Sequence, residues 1–113
     1  MTEPMRIRKI PGKWVVRAGG AVIGETANAL ELSEEGKPDV ILFPRSDVAM
    51  AFLEKSSRTS ESPAIGEATH YSIVTKSTTL TDAAWSFESP ASGAERLAGH
   101  IAFASEKATV EQL

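Results

Sequence analysis

The sequence contains no cysteine. Disulfides, thiolate catalysis and cysteine-ligated zinc or iron–sulfur centres are therefore excluded. Aromatic residues are few, seven in all, so a core needs most of them. Only two histidines are present, His70 and His100, and only one tyrosine, Tyr71. The longest tidy apolar run, Val48 to Leu53, falls far short of the roughly 20 residues that span a bilayer. No apolar stretch follows Met1-Thr2-Glu3-Pro4, so no secretion signal is expected. These absences predict a soluble, cytoplasmic protein with no membrane contact.

What remains is ordinary for one modest globular unit. The 113 residues are 42% apolar and 24% charged, which is enough for a single domain over 1–113. The net charge of −3 is unevenly spread. Residues 1–17 carry +4 and the remainder −7. A basic arm could meet a phosphate backbone, but a basic edge strand that lies near acidic neighbours and resists edge-to-edge pairing is the better explanation. Trp14 is the single aromatic residue among the basic ones and the sequence pI is about 5.4, so no nucleic-acid partner is expected.

The patterning is that of short strands and turns. Trp14–Ala18 and Ala21–Glu25 flank Gly19-Gly20, a two-residue hairpin loop whose glycines tolerate positive φ. Residues 27–32 and 39–43 flank a longer charged loop and read as a second hairpin. Segments 6–10, 70–75, 84–88, 100–104 and 108–111 supply further strands. Ser46 or Asp47 is placed to cap a short helix through Leu53, and Ser89-Pro90 to start a second that Gly99 closes. Polar, serine-rich 55–61 reads as a loop. The predicted fold is mostly β: antiparallel, curled sheets around one core, with two short helices.

Several blocks carry a family resemblance. They are Gly19-Gly20-x-Val22-x-Gly24-Glu25-Thr26, Phe43-Pro44-x-x-Asp47-Val48, Ala84-Trp85-x-Phe87-x-x-Pro90 and Gly99-His100-x-Ala102-Phe103. In order and spacing they resemble a bacterial family catalogued as domain of unknown function 427, sometimes labelled nucleotidyltransferase-like. The family's Cys-Pro-Tyr-Lys-Gly segment corresponds here to Ser62-Pro63-Ala64-Ile65-Gly66, without the thiol or the ammonium. The resemblance implies a fold and a region of interest rather than a reaction. No Gly-Ser with spaced carboxylates and no phosphate-cradling loop before a helix supports nucleotidyl transfer.

Candidate chemistry centres on the histidines, whose ordinary pKa lies near neutrality. Neither lies in a metal-ligand spacing, and a metal would need Asp47, Glu67 or Asp82 as further ligands, so no metal and no cofactor are expected. Ser62 precedes proline and reads as a turn residue rather than a nucleophile. Trp85 and Phe87 share one strand face and suit either core or pocket wall, Trp85 being expected largely buried. Arg45 and Asp47 stand at a strand-end corner suited to a carboxylate or phosphate, and suited equally to a helix cap by Asp47 and a surface ion pair by Arg45.

The expected ligand-binding set is Arg45, Asp47, Glu67, His70, Trp85 and His100, converging on one concavity. His70 and Tyr71 alternate on a strand, so His70 is assigned to the site and Tyr71 to the core. Two functions follow: a small-ligand-binding or interaction module without turnover, or a small hydrolase or transferase using His70 or His100 with a nearby carboxylate. A histidine nitrogen within about 3.2 Å of a carboxylate or hydroxyl inside a pocket would favour the second. A small-molecule partner is anticipated, and a homodimer is left open.

Overall fold

The computed structural model describes residues 5–113. Among the described residues, ten strands form two antiparallel sheets: β1 (Met5–Lys9), β2 (Trp14–Ala18), β3 (Ala21–Thr26), β4 (Leu30–Glu34), β5 (Val40–Pro44), β6 (Leu53–Ser62), β7 (Gly66–Val74), β8 (Thr79–Ser86), β9 (His100–Phe103) and β10 (Thr109–Gln112). The large sheet runs β1-β4-β5-β9-β8-β7-β6 and the small one β10-β2-β3. The mostly β, antiparallel expectation therefore stands.

The Gly19-Gly20 hairpin forms as its sequence dictates. Ala18 pairs with Ala21, and both glycines take positive φ, +56° and +80°. That geometry matches the twist of the flanking strands. In the large sheet, alternation sends successive side chains to opposite faces. One face carries Phe43, Tyr71, Ile73, Ala84, Ile101 and Phe103, which pack with Val16 and Ile23 of the small sheet. Phe43 and Phe103 meet edge to face at 5.7 Å. The other face carries Leu30, Leu32, Leu42, Ala68 and Ala102, covered by Ile65, Phe87, Ala94 and Leu97 from loops. The expected single core is thus divided in two by the sheet.

Neither expected helix forms. Residues 45–53 hold only two 3-10 turns, Arg45–Asp47 and Met50–Phe52, with no side-chain cap. Tertiary pairing prevails over a segment too short to nucleate an α-helix on its own. Val48 turns extended and bridges Gly24 of β3, and the Ala49 N–H donates to the Ile23 carbonyl at 2.8 Å. Gly24 permits this approach, because a Cβ there would stand 3.0 Å from the Asp47 carbonyl oxygen. The second segment retains one turn, Glu95–Leu97. Gly93 breaks it at φ +93°, and the Ala91 N–H is held by the Ile65 carbonyl at 2.7 Å.

Residues 55–61, expected as a loop, belong to β6, an edge strand of ten residues. Its polarity suits an edge that must resist pairing with another chain. Among the described residues no helix is long and apolar enough to cross a membrane.

Candidate functional site

The two cores leave a concavity lined from both faces of the large sheet: Ala68, Trp85 and Phe87 from the loop-covered face, and Phe103, Ala108 and Val110 from the side that meets the small sheet. A cavity of about 790 Å³ remains between the β4–β5 hairpin, the distal half of β6 and residues 103–110. Leu32, Val40, Ala68, Trp85 and Phe87 give it an apolar wall. Ser60, Ser62 and His70 contribute its neutral polar groups, and Glu34, Lys37, Asp39, Glu61 and Glu106 stand around it.

His70 owes its position to two irregularities in the sheet. Opposite it, β6 shifts register between Lys55 and Thr59, where Ser56 accepts a hydrogen bond from the Arg58 N–H at 3.0 Å. On the other side, β7 and β8 slip between Tyr71 and Ile73, and Asp82 takes a positive φ of 51°. Bulges of this kind re-aim side chains and recur beside functional sites. His70 Nε2 lies 2.8 Å from the Ser60 hydroxyl. Its ring stands 6.3 Å from that of its cross-strand neighbour Trp85, tilted by 38°. The second ring nitrogen, Nδ1, is buried and has no partner. Burial and the Arg58 charge hold the imidazole below its ordinary pKa, with Asp82 pulling weakly the other way.

Two other buried polar atoms have no partner, the Ser62 hydroxyl and Asp82 Oδ1. Ser62 lines the same cavity as His70. It pairs with Gly66 across the Pro63-Ala64-Ile65 hairpin loop, which Gly66 closes at φ +118°. Ile65 within that loop is fully buried and serves the core.

The six sequence-assigned residues do not converge. His70 and Trp85 line the cavity; Arg45, Asp47, Glu67 and His100 do not. Arg45 binds Glu88 at 2.6 Å, and Glu88 also accepts a hydrogen bond from the buried Ser86 hydroxyl. Asp47 accepts from the Thr26 hydroxyl at 2.7 Å. Glu67 is exposed on β7, directly across from Glu61. His100 pairs with Pro44 at the far end of β9, with Nδ1 3.1 Å from the Ala98 carbonyl. Trp85 is only partly buried, against expectation, because its ring forms cavity wall, whereas Phe87 is buried. Tyr71 packs in the core on the face opposite His70.

Sequence reasoning missed Ser60. The signal available was period two: Ser60 and Ser62 share one face of the strand hairpinned to His70. Among the described residues no three His, Asp or Glu side chains gather as metal ligands.

No curated protein matches the chain. A family model does, over residues 6–112, nearly the whole length and every strand that builds the cavity. The chain belongs to the family described as a domain of unknown function, DUF427.

Proposed function

We propose that this protein is a small-ligand-binding module whose site is the cavity walled by Trp85 and His70. One observation carries the reading. A partly exposed tryptophan and a buried histidine with a free ring nitrogen line the same 790 Å³ concavity. Apolar walls with a few placed polar groups are the common composition of small-molecule sites. A buried polar atom without a partner calls for one. A thermal-shift screen of small neutral, cationic and anionic fragments tests the reading. Binders should stabilise the native chain and lose their effect when Ala68→Phe fills the cavity. A ligand at about 100 times its Kd adds about 2.7 kcal/mol. Complete absence of hits, or hits indifferent to Ala68→Phe, would sink the reading.

The Ser60–His70 pair lies within the reach of about 3.2 Å expected of an enzyme and supports a second reading, a small hydrolase or transferase; distance alone does not make a base, because the other ring nitrogen must also be held. At 2.8 Å the imidazole is within reach to take the hydroxyl proton. The binding reading ranks first because no carboxylate holds His70 Nδ1, so nothing fixes the tautomer that a base requires. Turnover of chromogenic esters that disappears in Ser60→Ala and His70→Gln alike would reverse the order.

A further inference from the structure

We infer that the cavity selects flat aromatic ligands that are neutral or positively charged and rejects anions, phosphates and nucleotides included. The inference rests on the reading of the cavity as a ligand site and adds the chemical class of its occupant.

The charge around the cavity is one-sided. Glu34, Asp39, Glu61 and Glu106 face Lys37 alone. Lys37 is itself tied to Glu34 at 3.7 Å. Asp39, Glu61 and Glu106 have no ion-pair partner among the described residues. Arg58, whose charge reaches the imidazole, is exposed and not part of the wall. An entering ligand therefore meets a net charge of −3 from the residues lining the cavity.

His70 does not offset this. Its Nε2 is engaged by Ser60, and its surroundings favour the neutral ring. A neutral imidazole offers one hydrogen bond and no counter-charge for a phosphate. Nor does the cavity contain an arginine or a helix N-terminus of useful length, the usual anion holders. Trp85 presents part of its ring to the space, and an indole face attracts aromatic edges and cations. Carboxylates around an apolar, indole-lined wall are complementary to an aromatic amine.

The size of the effect is bounded. One unpaired carboxylate about 6 Å from a ligand charge changes affinity roughly threefold in water-like surroundings. With three of them, partly screened, the amine should exceed the matching carboxylate by roughly tenfold or more at low salt.

Indole, tryptamine and indole-3-acetate share one ring system and differ in charge. Each is titrated into the full chain at low ionic strength, with the ring resonances of His70 and Trp85 as the readout. Tryptamine should bind tightest, indole next and indole-3-acetate weakest. The gap should narrow in about 0.5 M salt and in the Glu61→Gln/Glu106→Gln variant. Equal binding of the three, or preference for the carboxylate, overturns the charge selection while leaving a ligand site in place. Silence of both rings toward all three probes overturns the ligand class. It overturns the cavity reading as well only if the fragment screen also yields nothing sensitive to Ala68→Phe.

Discussion

The Thr26 hydroxyl donates to the Asp47 carboxylate across 2.7 Å while accepting from the Asn28 N–H at 2.9 Å. One buried side chain thus ties the end of β3 to the turn that follows β5. Hydrogen bonds to charged groups contribute more than neutral ones, and an orphaned donor adds its own cost. Thr26→Val and Asp47→Ala should each destabilise by about 2 kcal/mol. The double variant should lose less than the two singles combined, with a coupling of about 1 kcal/mol in a urea-based double-mutant cycle. Strict additivity would mean that the two side chains act independently.

Phe43 and Trp85 should respond differently to truncation. Phe43 is fully buried and meets Phe103 edge to face. Phe43→Ala should cost about 3–5 kcal/mol. Trp85 is partly exposed on the cavity wall, so Trp85→Ala should cost less, about 1–2 kcal/mol. Equilibrium urea unfolding of both variants checks the ranking, and equal losses would show that Trp85 is packed as core.

The β2–β3 hairpin separates two glycines that look alike in sequence. A Cβ on Gly19 would stand 2.9 Å from Thr75 Oγ1, whereas one on Gly20 meets nothing within 4 Å. The Gly19 carbonyl also accepts from the Thr75 and Ser77 hydroxyls, each at 3.2 Å. Both positions carry the left-handed cost of an alanine, about 1–2 kcal/mol. Gly19→Ala must in addition displace Thr75, so its melting temperature should fall further than that of Gly20→Ala. Gly20→Asn should be nearly neutral.

Hairpins and alternation were legible in the sequence because both are local. Gly19-Gly20, the β4–β5 pairing and the opposition of His70 to Tyr71 each follow from a few adjacent residues. The helices at 46–53 and 90–98 were not legible, because what removes them is distant: Val48 bridging Gly24, and Ile65 holding Ala91. Strand β6 was hidden for a related reason. An edge strand with both faces largely wet shows no apolar alternation, so its serines read as loop. That error concealed Ser60, the residue His70 touches. The site was half legible. His70 and Trp85 meet by cross-strand register, which the sequence does not print, while Arg45, Asp47 and His100 each bond a partner away from the cavity: Glu88, Thr26 and the Ala98 carbonyl.

His70 gives the protein a pH dependence of known sign. Burial lowers its pKa from the ordinary 6.5, the Arg58 charge lowers it further, and Asp82 opposes both. The Ser60 hydroxyl can serve either ring state, and Trp85 carries no charge to counter the shift. With the folded value below the unfolded one, the unfolded chain binds the proton first as pH falls. Stability from this residue is therefore complete above pH 6.5 and declines as pH drops through 6.5 toward the folded value. Urea midpoints measured on either side of that window should fall on the acid side, and His70→Gln should flatten that segment of the curve. Proton NMR supplies the microscopic check: the His70 ring resonance should titrate with a midpoint below 6.5. A midpoint at or above 6.5 would mean that the imidazole is stabilised as a cation. The Asp82 carboxylate would then govern it, and the cavity would hold a positive charge where a neutral ring is assigned.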